Sequence, residues 1–333
     1  MPQLAHKLHQ LAIYLTHRIR FVYPILFWLL SGQSQLLIAQ LLPGKEAAYK
    51  SVSPSAARRF ERLTLREGLE TNYVMSIAQD TLGFIWLATV NGLTRFDGTN
   101  CRTFTRQAGN PQSLSHRIVR SVFAAKTGTL WVGTQEGLNR FEPTTQTFLR
   151  YPFAPPGNDR NFIRTITEGP DGSLWCGTKG GAVQFDPATG KARVVVLPTD
   201  SSSRAGVNTI RALQVDGSTL WIGTEAGLYG YNWRTKQVMV FRHTEAITSW
   251  LPDEYVTALA LHPRTGELLV GTRSGHLTLL NAQAGTSRQL PAPALNQAVS
   301  SLLFTKRGDL WVGLANGGLH RFDAAKKQYI AYV

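Results

Sequence analysis

One short signature recurs six times along the chain: GFIWLAT at 83–89, GTLWVGT at 128–134, GSLWCGT at 172–178, TLWIGT at 219–224, GELLVGT at 266–272 and GDLWVGL at 308–314. Its anchor residues are Trp86, Trp131, Trp175, Trp221, Leu269 and Trp311, separated by 45, 44, 46, 48 and 42 residues. Self-similarity at a period of this length belongs to repeat architectures, in which each unit buries its apolar face only against a neighbour. Ten or eleven residues after each anchor stands an aromatic or leucine: Phe96, Phe141, Phe185, Tyr231, Leu279 and Phe322. A glycine lies between the two: Gly92, Gly137, Gly181, Gly227, Gly275 and Gly318, the last unit carrying an extra residue as Gly317-Gly318.

Each unit reads as four short strands. The first follows a V/I-x-x-I/V/L pattern: Val74–Ile77, Val119–Val122, Ile163–Ile166, Ile210–Leu213, Val256–Leu259 and Val299–Leu302. A D-x-x-G or related turn leads into the Trp strand. A T-x-x-G hairpin follows, where glycine supplies the positive φ of a tight turn. The third strand ends in RFD, RFE, QFD or a similar triplet, and the fourth resembles Thr147–Tyr151. Four strands per unit of this length predict an all-β fold, a β-propeller of four-stranded blades. A solenoid has shorter rungs, a sandwich has no reason to repeat Trp at fixed period, and the 3.6-residue period of helices is missing. The units run over about 74–118, 119–162, 163–209, 210–255, 256–298 and 299–333. Composition agrees: 43% apolar residues with 30 Gly, 8 Trp and 15 Phe exclude a disordered chain, and two cysteines exclude a disulfide scaffold or a Cys-rich zinc site.

Phe60–Thr64 reads as a fourth strand with no blade of its own, since the sixth unit already ends in a fourth-strand segment at Gln328–Val333. Propellers remove exposed edges by letting a terminal strand complete the last blade. The expectation is therefore six repeats of a seven-bladed propeller in a chain that looks truncated, with imperfect closure on six blades as the alternative. Ahead of it, residues 1–40 carry Lys7, Arg18 and Arg20 and no acid, with the apolar run FVYPILFWLL at 21–30. Basic, then apolar, then small or polar is the order of a secretory signal. Ten helical residues rise only about 15 Å, short of a ~30 Å hydrocarbon core. The reading is a signal peptide over 1–40, with an uncleaved anchor as the alternative. A linker over 41–58 follows, then the propeller over 59–333, exported to the periplasm or beyond.

The stretch 60–98, FERLTLREGLETNYVMSIAQDTLGFIWLATVNGLTRFDG, carries the string D-x-x-G-x-x-W-x-x-T-x-x-G-L-x-R-F-D, recognisable in all six units. It resembles the two-component regulator propeller repeats that build the periplasmic sensors of hybrid two-component systems, over about residues 60–333. Unit five departs most, with Leu269 and Leu279 in place of aromatics. The resemblance implies a non-catalytic carbohydrate sensor that signals through a histidine kinase module. The expectation is that further blades or a histidine kinase partner lie outside residues 1–333. Unit three, ITEGPDGSLWCGTKGGAVQFDPATG at 166–190, is also similar to the repeats of streptogramin B lyase. A lyase is thus the alternative, and a protein-interaction scaffold the third.

The repeat tryptophans read as packing between blades, and Asp97, Asp186, Asp323, Asp80, Asp171 and Asp216 as turn-holding residues. The eight histidines show no HExxH or triad order, and no catalytic, metal or cofactor site is expected. His262 would matter only if it faced a central channel. The more informative positions surround the start of each first strand. Two residues upstream lie Asn72, Arg117, Asn161, Asn208, Glu254 and Gln297; one residue upstream lie Tyr73, Ile118, Phe162, Thr209, Tyr255 and Ala298. First strands line a propeller's channel. Amides there suit sugar hydroxyls because they donate and accept together, and Tyr73, Phe162 and Tyr255 are fit to stack on a sugar face. The plainer reading is that the Asn residues cap turns. Arg120, Arg164 and Arg211 follow just inside three successive first strands, placing three guanidinium groups at one mouth. They serve either as a subsite for an acidic group or as arginines paired with nearby acids. The net charge is +14, about +11 without the first forty residues. It is spread rather than clustered, which speaks against nucleic acid, while the Asn amides, the Arg set and the positive charge together point to an oligosaccharide ligand carrying acid groups. A homodimer is a further expectation.

Overall fold

Each blade opens on a β-branched residue, and five of the six carry a Trp in the second strand, residues that favour pleated, half-buried surfaces. In the computed structural model these segments form six four-stranded antiparallel sheets among the described residues, which are 63–65, 68–195, 197–198, 206–242, 251–293 and 296–332. Within every sheet the strands lie in chain order, first to fourth. The first strands are Val74–Gln79, Val119–Ala124, Ile163–Glu168, Ile210–Asp216, Val256–Leu261 and Val299–Phe304. From blade one to blade six, each first strand lies beside that of the blade after it, five neighbouring pairs in all, so these strands form the inner wall of a propeller. The signal peptide and linker expected over 1–58 lie outside the described residues, as do Phe60–Arg62. Leu63 and Thr64 are in no strand; Leu63 is buried with Leu69, Val74, Ile77 and Leu87 on blade one. No helix among the described residues is long and apolar enough to cross a membrane.

Two features of the repeat set how blades join. Trp86, Trp131 and Trp175 are all but fully buried, and each reaches the next blade: Trp86 to Phe141 at 4.9 Å, Trp131 to Phe185 at 5.5 Å, Trp175 to Tyr231 at 6.0 Å. These centroid separations and their edge-on angles suit the ring quadrupole. The glycine two residues after the anchor leaves a hole for the branched residue that opens the next blade. A Cβ on Gly177 would stand 2.7 Å from Ile210 Cγ2, and one on Gly223 or Gly271 would stand 2.6 Å from a methyl of Val256 or Val299. The W-x-G spacing of the signature is thus an inter-blade joint.

The turns behave as their residues dictate. Asp80 accepts from the backbone N–H of Leu82 and Phe84, each at 3.0 Å, and from Trp86 Nε1 at 2.7 Å. Asp97, Asp171, Asp186 and Asp323 hold their turns in the same manner. Asp216 is exposed and makes no such bond among the described residues, which corrects its assignment as a turn holder. His262 takes the aspartate's place in blade five, its Nδ1 accepting from the N–H groups of Arg264 and Thr265. In the T-x-x-G hairpin of blade one, Thr89 Oγ1 donates to the Gly92 carbonyl and accepts from the N–H of Asn91, while Gly92 sits at φ 136°.

Two histidines, one buried and one half-buried, make stability depend on mild acid. His320, in the third strand of blade six, has no partner for Nδ1 among the described residues, and His116 is half-buried with Nδ1 accepting from the Ile118 N–H. Burial pushes both below the ordinary value of 6.5, outweighing the opposing pull of Glu136 on His116 and of the Gly318 backbone on His320. The unfolded chain therefore takes up protons below about pH 6.5 that the folded chain resists. The stability these groups hold is present above that pH and is lost as pH falls toward their depressed folded values. Urea midpoints should drop between pH 7.5 and 5.5. His320→Asn, which copies Asn139 of blade two, should flatten part of that drop; an unchanged slope would remove His320 from the account.

Candidate functional site at the channel mouth

In all six blades the pairing of first and second strands slips by one residue just after the branched opening residue. The residues skipped by the ladder are Met75, Arg120, Arg164, Arg211, Thr257 and Ser300. A β-bulge bends the strand and re-aims a side chain. Here the first five of these residues line one cavity of about 240 Å³ at the inner wall. The sequence therefore brings Arg120, Arg164 and Arg211 together as expected, through a local backbone device repeated in each blade.

The three arginines are not equivalent. Arg211 donates from Nε to Glu225 Oε1 at 2.8 Å and from a terminal nitrogen to the same oxygen. Tyr255 donates its hydroxyl to that oxygen as well, at 2.9 Å. Arg120 and Arg164 lie over the Phe162 ring at 4.9 and 4.8 Å, and the buried Nε of each has no hydrogen-bond partner. Burial lowers both guanidinium groups from their ordinary range, and Arg211 adds to this in each case. They remain charged at neutral pH all the same. A half-buried cation lacking a partner is costly, and an entering anion offsets that cost. Arg273 also stacks on the Tyr255 ring, at 5.0 Å from its centroid against 5.2 Å for Arg211.

Glu225 and Arg273 were not singled out in the sequence. Both hold the first variable position of a T-x-x-G hairpin, equivalent to Val90, Gln135 and Lys179 in the first three blades. The hairpins rise beside the entrances to the first strands, so the variable letters of an otherwise fixed motif were the available signal. Burial works to raise the Glu225 carboxyl, but the hydrogen bonds from Arg211 and Tyr255 outweigh it and hold the group below the ordinary carboxylate range.

The upstream amides fare differently. Asn161 is buried, its Oδ1 accepting from the N–H of Phe153 and Ala154 and its Nδ2 donating to the carbonyls of Ala154 and Pro155. Its hydrogen-bonding capacity is spent on the loop, so it is a staple and not a ligand amide. Asn208 and Arg117 are exposed and do not line the cavity. Asn72 keeps a buried Oδ1 without a partner. Glu254 contributes its backbone, its carbonyl accepting from the N–H of Gly227 at 2.8 Å. Tyr73 is 58% exposed and near enough to Arg120 to act on its charge. Cys101 and Cys176 form no disulfide, and no cluster of three or more His, Cys, Asp and Glu among the described residues is placed to hold a metal ion.

Fold and site together define a β-propeller whose channel mouth carries more guanidinium than carboxylate. Residues 68–91 match the family model described as "Two component regulator propeller", so the repeat likeness is found by an independent route. The structure is similar to the extracellular domain of the hybrid two-component system BT3049 of B. thetaiotaomicron, with a TM-score of 0.67 and 27% identity over 82% of this chain. That match takes in 36% of the other chain, so this protein spans about a third of its length. The fold is shared with virginiamycin B lyase from Staphylococcus aureus, with a TM-score of 0.59 and 14% identity over 77% of this chain and 82% of the lyase. It is also shared with PorZ of Porphyromonas gingivalis, with a TM-score of 0.59 and 20% identity over 75% of this chain and 38% of PorZ. No curated protein sequence matches the chain.

Proposed function

We propose that the chain is an exported, non-catalytic sensory propeller that binds an acidic oligosaccharide at its channel mouth. The observation that carries this is the pair Arg120 and Arg164, both turned into the cavity, both with an unpartnered Nε and both seated on Phe162. Guanidinium forks favour carboxylate and sulfate. Tyr73, exposed and near Arg120, offers a ring face beside them. The likeness to an extracellular sensor domain supports the export and the sensing role, and the signal would pass to blades or a kinase module outside the six blades described. The lyase reading rests on the fold alone, and the mouth offers arginines rather than an acid–base pair.

Calorimetry with oligogalacturonate and its methyl ester separates the parts of this reading. The acid form should bind more tightly, and its advantage should shrink between 20 and 300 mM salt, because screening shortens to about 8–10 Å near physiological ionic strength. Equal affinity for the two forms at low salt would remove the acidic ligand.

A further inference from the structure

Three guanidinium groups enter the mouth, yet only two are open. We propose that Glu225 is a specificity-determining residue: a built-in anion that occupies Arg211 and leaves a place for one acidic group of the ligand, between Arg120 and Arg164. This rests on the anion-site reading above. At the first variable position of the six hairpins stand Val90, Gln135, Lys179, Glu225, Arg273 and Ala315, so the ring holds a carboxylate at one blade only. That carboxylate sends a single oxygen, Oε1, to meet three donors: Nε and a terminal nitrogen of Arg211, and the hydroxyl of Tyr255. An oxygen so engaged does for Arg211 what a ligand carboxylate would do. Tyr255 is drawn to the same point, and its ring also takes the guanidinium groups of Arg211 and Arg273. Blade four is therefore satisfied within the protein, while blades two and three are not.

The consequence is a count of charges in the ligand. A sugar with one acid group meets the Arg120–Arg164 pair. A second acid group directed toward blade four meets Glu225 and is repelled. Losing the Glu225 charge releases Arg211 and opens a second subsite.

Galacturonate, digalacturonate and inorganic sulfate, titrated at low ionic strength into the wild-type chain and into Glu225→Gln, provide the test. In the wild type the second acid group should bring less than a threefold gain. In Glu225→Gln digalacturonate should bind about tenfold tighter than galacturonate, and sulfate should bind severalfold tighter than to the wild type. Glu225→Ala gives the same comparison should the amide variant fold poorly. A Glu225→Gln profile within twofold of wild type, while Arg164→Ala weakens sulfate, overturns the role of Glu225 and leaves the site standing. Sulfate affinity unchanged in both Arg120→Ala and Arg164→Ala, or no binding of any probe to the wild type, overturns the site itself and this inference with it.

Discussion

Arg164→Ala should weaken binding of an acidic oligosaccharide roughly ten- to a hundredfold and leave its neutral analogue within about threefold. The magnitude follows from a charge-assisted hydrogen bond, about 1.5–3 kcal/mol, with 1.4 kcal/mol per decade of affinity. Arg164 is the better of the two open arginines to remove. It stands between Arg120 and Arg211 in the order of the blades, and both neighbours act on its charge. Removing it relieves some repulsion between those neighbours, so the chain should remain folded. Arg117→Ala is the matched control: it removes the same charge from an exposed position outside the cavity. Isothermal titration of both variants with acid and neutral ligands is the measurement. An equal loss for the two ligands, or an equal loss in Arg117→Ala, would reduce the effect to net charge or misfolding.

A second large effect is expected far from the mouth. Trp175→Ala should cost about 3–5 kcal/mol, the range for emptying a buried aromatic site, against a typical domain stability of about 5–15 kcal/mol. Trp175 is fully buried and lies 6.0 Å from Tyr231 and 5.8 Å from Trp233 of the next blade. Leu220, Ile222 and Tyr229 fill the same cluster. The indole Nε1 has no hydrogen-bond partner. Trp175→Phe therefore loses volume without stranding an acceptor, and it should cost less than half as much. Leu149→Ala, at a 43% exposed position, should stay within about 0.5 kcal/mol. Urea unfolding followed by circular dichroism resolves the three. A Trp175→Ala cost below 1 kcal/mol would mean that the blades do not depend on this contact.

The two predictions draw on parts of the molecule that differ in how far the sequence discloses them. Trp175 and its counterparts were legible because an inter-blade contact must recur wherever a blade meets a blade, and recurrence is visible as a period. Gly177 and Ile210 were legible singly, as a turn-rich signature and a strand start; that one fits into the other appears only when adjacent blades are stacked. The convergence of Arg120, Arg164 and Arg211 followed from their shared position after the branched residue, since equivalent positions in a ring face one axis. Glu225 did not follow. It sits fourteen residues after Arg211, next to Thr224, and only the pairing of Thr224 with Ile210 sets the two side by side. Asn161 was left between a ligand amide and a turn cap for a related reason. Its partners at 153–155 belong to the irregular segment entering blade three, where the repeat offers no template.

The slipped residue at the head of every first strand has a consequence for how such a chain can change. Met75, Arg120, Arg164, Arg211, Thr257 and Ser300 stand outside the strand pairing on both sides of the slip. The branched residue before each is fully or almost fully buried and serves the joint between blades. Neighbouring letters of the sequence thus carry separable duties, one answering to the fold and the next to whatever enters the channel. A drift of the second letter from arginine to threonine or methionine leaves the framework intact and alters only what is welcomed at the mouth. Six such letters, spaced one blade apart, make an alphabet that can be respelled for a new ligand while the architecture stays the same.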